Sequence, residues 1–299
     1  MTSQLFFVAL AGFAASMVDG ALGMGFGPTS STILLGSGLS PAAASTVVNL
    51  AKVATGLAAA VSHWRFGNID HRLVRKLAIP GAFGALIGAT VLANVDGKSL
   101  RPILAVLLIL VGIRILWRFS AALPVTPASA EAEAESGMPS FNERGVELGA
   151  AAGGVTNGLV GAWGPVVTPM LLQKGIPARY AIGCTNTAEV AVAVVASGSL
   201  LASLRGEGVE GAVVIAMLIG GVIAAPLAAY IVRFIPPRGL GVAVSALLLL
   251  TNARELAGWF DLGVARWGYY ALIAVACGVA AMRPRFAARV FNAQPVLAD

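Results

Sequence analysis

Four polar residues inside otherwise apolar segments are the side chains best placed to do chemistry in this sequence. Asn49 and Lys52 lie about one helical turn apart, and Asn186 and Glu189 repeat this spacing later in the chain. A charge at the centre of a membrane helix costs at least about 2.5–3.5 kcal/mol, so such residues face the interior of a bundle. Lys52 and Glu189 are therefore interpreted either as a structural ion pair, or as a substrate-binding cation and a titratable carboxylate.

Two glycine-rich stretches, each containing a proline, form a second group of candidate site residues. Proline is welcome at a helix start and breaks a helix interior, so Pro28 and Pro165 each predict a new helix within an apolar segment. A helix start exposes unpaired N–H groups and about half a positive charge, and two facing starts can bind an anion. The alternative is tight packing of small residues between helices. The residues predicted to bind the anion are Gly25, Gly27, Thr29, Ser30, Asn49, Lys52, Gly164, Thr168 and Asn186.

Asp19 precedes the first glycine-rich stretch and is a further carboxylate expected at membrane depth. Its ordinary role would be to cap a helix start. Its functional role would be to relay a proton. Asp19 and Glu189 are therefore the two candidates for coupling protons to the movement of a substrate.

The composition places these residues in a helical membrane protein. The 299 residues are 58% hydrophobic and only 11% charged, whereas soluble domains are about 25% charged. The apolar residues form continuous blocks of about 20, which is the length of helix that crosses about 30 Å of hydrocarbon. The predicted segments are residues 4–36, 41–62, 73–93, 101–118, 145–173, 179–203, 210–233, 239–256 and 266–282.

The first and fifth segments are too long for single spans, because about 30 helical residues extend about 45 Å. Each is predicted to be a hairpin of two helices around its glycines. Matching residues in the two halves then predict an all-α polytopic fold with two inverted repeats, each a glycine- and proline-broken hairpin plus about three transmembrane helices. The predicted organisation is a first repeat at 1–120, a flexible linker at 121–144, a second repeat at 145–262, and a final helix with a basic tail at 263–299.

Basic residues orient the helices, because loops rich in Lys and Arg stay in the cytoplasm. Arg65, Arg72 and Arg75 place the loop after the second segment inside, so the N-terminus is predicted outside and the C-terminus in the cytoplasm. Single spans instead of hairpins would put the basic tail outside.

Aromatic residues beside arginines are interpreted as interfacial anchors. They are Trp64 beside Arg65, Trp117 near Arg114, and Trp259 near Arg254. The Gly84–Gly88 pair predicts close helix contact, either within one chain or between the chains of a homo-oligomer.

Several classes of function are excluded by the sequence. Two cysteines and two histidines are too few for a metal centre, and Cys184 and Cys277 are expected to be small buried thiols. No nucleotide-binding or hydrolase motif is found, so no cofactor is expected. The net charge of +6 is spread over loops rather than arranged in a nucleic-acid-binding stripe.

The stretch Ser62-His63-Trp64-Arg65-Phe66-Gly67-Asn68-Ile69-Asp70, the run from Val18 to Gly27 and the paired glycine turns resemble the TauE/SafE family of sulfite and organosulfonate transporters. The resemblance covers nearly the whole chain. It implies export or uptake of a small sulfur oxyanion through the bacterial inner membrane, driven by an ion gradient. Phe26, Pro28 and Trp163 interrupt glycine runs that are fuller in many members, which indicates a different substrate.

The function expected from these observations is a secondary transporter, and more specifically an exporter, of a small sulfur-containing anion. Its partners would be that anion, the lipid bilayer and, as the coupling ion, protons. The alternatives are a passive anion channel or facilitator of the same fold, a membrane subunit of a larger complex, and a membrane-embedded enzyme. The sequence supplies no nucleophile–base pair for an enzyme.

Overall fold

The computed structural model describes residues 2–22, 25–120, 144–204, 211–231 and 237–282. Within these residues the chain forms eleven α-helices and no β-strand. The helices are α1 (Thr2–Leu22), α2 (Phe26–Gly36), α3 (Pro41–Arg65), α4 (His71–Asn94), α5 (Gly97–Ser120), α6 (Val146–Val160), α7 (Gly164–Gln173), α8 (Ala178–Leu204), α9 (Gly211–Ile231), α10 (Pro237–Trp259) and α11 (Ala265–Met282).

The all-α membrane fold predicted from the sequence is confirmed. Helices α3, α4, α5, α8 and α11 are each long and apolar enough to cross a membrane. Each of the two overlong segments is divided at its glycines. The second helix of each hairpin begins slightly before its proline, at Phe26 and at Gly164. The prolines still lie in the first turn, where their missing N–H has no helical partner to lose.

Helices α6 and α7 form an antiparallel hairpin. Gly149 packs against the Met170 side chain near the open end, and Gly153 packs against Val167 nearer the turn. The Lys174 ammonium, just beyond α7, donates to the carbonyl of Arg144, just before α6. The two ends of this segment therefore meet, which a single straight span could not achieve.

The last turns of α1 and the start of α2 are also in contact. Gly25 lies against the side chain of Val18, and the Phe26 N–H donates to the Asp19 carboxylate at 3.3 Å. The start of α2 therefore lies beside the last turns of α1. Gly23 and Met24 lie outside the described residues.

Equivalent helices of the two halves each pack against a helix from the opposite half. Helix α1 packs along α9, and its counterpart α6 packs along α4. Small residues allow the backbones to approach, since a Cβ on Gly84 or Gly88 would overlap carbonyl oxygens of α6, and one on Gly220 would overlap a carbonyl of α1. The Gly84–Gly88 pair therefore serves a contact within the chain. This exchange is expected of two repeats, and their inverted relation remains a prediction.

Helix α11 is peripheral, because its main contacts are with α10 and α5. Most of its side chains are exposed, among them Trp267, Leu272 and Val275. Such an apolar outer surface suits contact with lipid. Residues 121–143 of the predicted linker (121–144) and residues 283–299 of the predicted basic tail lie outside the described residues.

Candidate functional site

The site is built around the C-terminus of α6, where a helix ends inside the protein. The last carbonyls of a helix have no partner within it and carry a partial negative charge. Side chains from the first half of the chain satisfy them here. Ser45 Oγ donates to the Gly158 carbonyl and Ser31 Oγ to the Val160 carbonyl, both at 2.8 Å. The glycine turn after α6 is thereby held against α2 and α3.

Lys52 of α3 contributes the charge at this helix end. Its ammonium donates to the Gly161 carbonyl at 2.6 Å and to Asn157 Oδ1 at 2.9 Å, and it forms an ion pair with Glu189 of α8. Lys52 is 5% exposed and Glu189 16% exposed. An ammonium has three N–H donors, so each donor is occupied by an acceptor from the second half of the chain.

Asn49 lies one turn before Lys52 and pairs with Asn157. The Asn157 amide donates to Asn49 Oδ1 at 2.7 Å, and Asn49 Nδ2 donates to the Ser45 carbonyl at 2.9 Å. Both asparagines are fully buried. Asn49 therefore positions Asn157, which in turn binds Lys52.

The two glycine turns are in direct contact. A Cβ on Gly27 would overlap the carbonyl oxygen of Gly161, and one on Gly161 would lie 2.7 Å from Val48. Gly161 also has a positive φ of 69°, in the left-handed region that favours glycine. Close approach at Gly27 and backbone conformation at Gly161 are thus two separate reasons for glycine.

A small cavity opens where the two turns meet. Its volume is about 50 Å³, which is room for a few water molecules. It extends along α3 from Lys52 past Gly56 to Ala59. The predicted site residues that line it are Asp19, Gly25, Gly27, Lys52, Gly164, Asn186 and Glu189.

The electrostatics of the cavity combine fixed positive helix starts with two carboxylates. Asp19 accepts the first N–H of α2 at 3.3 Å, so it performs the capping role expected of it while also lining the cavity. The start of α7 carries no side-chain cap, and its first residues, Gly164 and Pro165, face the cavity. The uncapped start of α7 leaves a partial positive charge available to an anion.

Arg114 supports the start of α7 from the opposite side. Its Nε donates to the Pro165 carbonyl at 3.1 Å. The interpretation of Arg114 as an interfacial anchor paired with Trp117 was therefore wrong, because its guanidinium turns inward to a buried turn. Trp117 is 73% exposed and remains consistent with an anchor.

The predicted hydroxyl donors lie behind the cavity rather than in its wall. Thr29, Ser30 and Thr168 are fully buried, and their hydroxyls have no hydrogen-bond partner within the described part of the chain. Buried polar groups are normally paired. These hydroxyls are close in sequence to the two helix starts, and the structure does not bring them to the cavity surface.

Asn186 reaches the cavity from α8, where its Nδ2 lies 3.5 Å from His63 Nε2. The loop after α3 is held on the same helix. Gly183 leaves room for the Asn68 carbonyl, and Cys184 Sγ accepts the Asp70 N–H at 3.2 Å. Both Cys184 and Cys277 are free and buried, as expected. Cys184 therefore fixes the loop that precedes α4 and does not line the cavity.

Two of the three groups that bind Lys52 were not identified from the sequence. Asn157-Gly158 in the second half corresponds to Asp19-Gly20 in the first, and this correspondence was the only signal for Asn157. The carbonyl of Gly161 has no side-chain signal at all. Both were missed because their role depends on which helix end Lys52 reaches.

A charged cavity between two broken hairpins, inside a bundle of apolar helices, defines a class of multi-pass membrane transport protein. The chain belongs to the family described as sulfite exporter TauE/SafE, whose model matches residues 8–254. It is 38% identical over 258 residues to the probable membrane transporter protein YtnM of Bacillus subtilis (strain 168), covering 85% of this chain and 83% of that relative. No solved structure matches the chain. The chain is thus a membrane transporter rather than an enzyme.

Proposed function

We propose that the protein is a secondary transporter that exports a small sulfur-containing anion, such as sulfite or an organosulfonate, across the inner membrane. The observation that carries the proposal is the cavity between the two glycine turns, lined by Lys52, Asn186 and the uncapped start of α7. Its size suits a ligand of a few heavy atoms. Membership of the sulfite exporter TauE/SafE family supports the choice of a sulfur-containing anion.

In the proposed mechanism, the Glu189 and Asp19 carboxylates occupy the positions that the substrate anion takes when it binds. Glu189 binds the Lys52 ammonium, and Asp19 binds the first N–H of α2. The anion reaches Lys52 only by displacing one of its three acceptors. Gly161 is a backbone acceptor and Asn157 is fully buried, whereas the Glu189 side chain lines the cavity and can rotate. Glu189 is therefore the acceptor that leaves.

A proton makes this exchange favourable. A Glu189 carboxylate that loses its cation inside the protein is an unpaired buried charge, which is strongly unfavourable. Protonation of Glu189 removes that charge as the anion takes its place on Lys52. Anion and proton are thus bound together, with Asp19 as the second proton acceptor. Asn186 donates to the anion from the opposite wall.

The orientation predicted from the basic loops gives the direction of movement. The cavity runs along α3 towards the basic loop after Arg65, which is predicted to be cytoplasmic, so the anion enters from inside. An inside-negative potential favours outward movement of net negative charge by about 2.3 kcal/mol per elementary charge per 100 mV. For the sulfite dianion, one accompanying proton still leaves a net negative charge, whose outward movement the potential favours. A monoanionic organosulfonate with one proton is electroneutral, so the potential favours export of sulfite specifically.

Flux measurements in proteoliposomes test the proposal. We expect wild-type protein to move sulfite, with a rate that changes with the proton gradient. Lys52→Ala, measured at a temperature at which its melting curve shows it to be folded, should weaken sulfite binding about tenfold or more, since a hydrogen bond to a charged group contributes about 1.5–3 kcal/mol. Glu189→Gln should still bind sulfite, and its flux should no longer respond to the proton gradient.

The matched control is Glu147→Gln, which removes the carboxylate of a half-exposed ion pair with Lys76 far from the cavity lining. It should behave as wild type. Full flux in Lys52→Ala would remove Lys52 from the mechanism. Flux that ignores the proton gradient in both wild type and Glu189→Gln would favour a passive facilitator. Absence of flux for every sulfur anion, with folded protein, would contradict the proposed function.

A further inference from the structure

A second cavity lies at the opposite end of α2 from the central one. The first residues of α2 line the central cavity, and its last residue, Gly36, lines the second. The 11 residues of α2 extend about 16 Å, so one short helix separates the two cavities. The second cavity is larger, at about 400 Å³, and its other walls come from the start of α5 and the last turns of α10.

The charged groups of the second cavity are two guanidinium groups and one carboxylate. Arg101 projects from α5, and Arg254 and Glu255 come from α10. Among the described residues none of the three forms an ion pair within 4.0 Å. The cavity therefore carries a net positive charge. Arginine presents a planar set of donors that matches the oxygens of sulfonate, carboxylate and phosphate groups.

Polar groups continue from this cavity towards the middle of α2. An adjoining smaller cavity shares Arg101 and Glu255 and adds Thr32 and Asn252. Asn252 Nδ2 donates to Thr32 Oγ1 at 3.1 Å. Ser31, which precedes Thr32 in α2, donates to the Val160 carbonyl at the end of α6. Donors and acceptors thus extend from the second cavity to the helix end that Lys52 binds.

We propose that the cavity around Arg101 and Arg254 is a second binding site for a small soluble oxyanion. It would receive or release the anion on the side of the protein opposite to the opening of the central cavity. Glu255 would favour release by competing for the guanidinium groups, as Glu189 does for Lys52. The choice of a sulfur oxyanion rests on the proposed function. The proposal that this positively charged cavity binds an oxyanion does not depend on that function.

Trp259 provides a native reporter, because it lines this cavity and is one of five tryptophans in the chain. The probe is methanesulfonate, added at constant ionic strength with chloride as the reference, to purified protein in phosphatidylcholine nanodiscs. We expect a saturable change of tryptophan fluorescence that disappears in Trp259→Phe. Arg101→Gln and Arg254→Gln should each weaken the response about tenfold, as expected for loss of a charge-assisted contact.

Arg179→Gln is the matched control, because Arg179 is exposed and stacks on Tyr180 away from the cavity. It should leave the response unchanged. Trp259→Phe that responds as wild type does, or arginine variants that bind with unchanged affinity, would overturn the proposal. The double variant Arg101→Lys/Arg254→Lys keeps both positive charges, so it controls for misfolding caused by loss of charge. It should also weaken binding, because lysine lacks the planar donors of arginine.

A lipid headgroup offers the same oxyanion chemistry, and the interpretation of Trp259 and Arg254 as an interfacial anchor predicts that source. Nanodiscs containing phosphatidylglycerol separate the two. A Trp259 response to phosphatidylglycerol without one to methanesulfonate would assign the cavity to lipid and overturn the proposal of a soluble ligand.

A methanesulfonate response without any flux would retain this site and reject the proposed transport. Flux without a Trp259 response would reject this site alone.

Discussion

At the scale of single residues, Lys52 both joins the two halves of the chain and lines the cavity. Its acceptors lie 105, 109 and 137 residues away in the sequence, and all three belong to the second half of the chain. The structural ion pair considered from the sequence is present. The same pair borders the cavity, so its structural role is compatible with the proposed binding of an anion.

Removing Lys52 alone should destabilise the protein strongly. Lys52→Met leaves Glu189, Asn157 Oδ1 and the Gly161 carbonyl without their donor, and breaking a buried pair costs about 3–5 kcal/mol. The double variant Lys52→Met/Glu189→Gln should lose less than the single variant, because the unpaired charge is gone. The measurement is the melting temperature of each variant in the same detergent.

The matched control for this prediction is Lys76→Met. Lys76 and Glu147 lie 3.8 Å apart and are 43% and 47% exposed, and surface pairs contribute about 0–1 kcal/mol. Its melting temperature should stay close to that of wild type. Equal losses in Lys52→Met and the double variant would show that the ion pair is not the main source of the effect.

At the scale of elements, helix packing depends on glycines that face backbone rather than side chains. Along the α4–α6 contact, a Cβ on Gly84 would overlap the Ala151 carbonyl, and one on Gly154 would overlap the Gly81 carbonyl. Backbone atoms cannot rotate away as a long side chain can. The close approach of α6 to α4 also places the end of α6 beside Lys52, so this packing positions the site.

Gly84→Ala should therefore separate α4 from α6 and destabilise the protein by about 1–3 kcal/mol, the usual cost of overpacking. Gly198→Ala is the matched control, because a Cβ there meets nothing within 4 Å, and alanine favours a helix over glycine by about 1 kcal/mol. Melting temperatures should fall for Gly84→Ala and hold or rise for Gly198→Ala. The same result for both would mean that the α4–α6 contact tolerates a methyl group.

At the scale of the whole molecule, the reversal at α6–α7 decides which side of the membrane each loop occupies. With two hairpins, the basic loops predict that Arg72 and Gln173 face the cytoplasm and that Lys98 faces outside. With single spans, Gln173 would lie on the same side as Lys98. The contact of Lys174 with Arg144 supports the hairpin, because it joins the two ends of the segment.

Labelling of single cysteines tests this topology. Cys184 and Cys277 are first replaced by serine or alanine, and Arg72→Cys, Lys98→Cys and Gln173→Cys are added one at a time. An impermeant thiol reagent applied to intact spheroplasts should label Lys98→Cys only. Inverted vesicles should label the other two. Labelling of Gln173→Cys from outside would contradict both the hairpin and the inverted repeats that follow from it.

The sequence by itself determined where the helices run and where they break. Apolar length, proline and glycine are local properties, and each acts within about one or two helical turns. The sequence also identified Lys52, Asn186 and Glu189 as candidate site residues, because a charge or an amide inside an apolar segment is recognisable without knowing its partner. It also placed Asp19 and the glycine turns at the site.

Tertiary structure decided what these residues bind. Lys52 reaches a helix end, Arg114 turns inward to Pro165, and Thr29, Ser30 and Thr168 stay behind the cavity. Each outcome depends on how helices from opposite halves of the chain dock. Helical periodicity relates only residues three or four positions apart, whereas these contacts join backbone groups to side chains that are distant in sequence. Only the packed bundle brings them together.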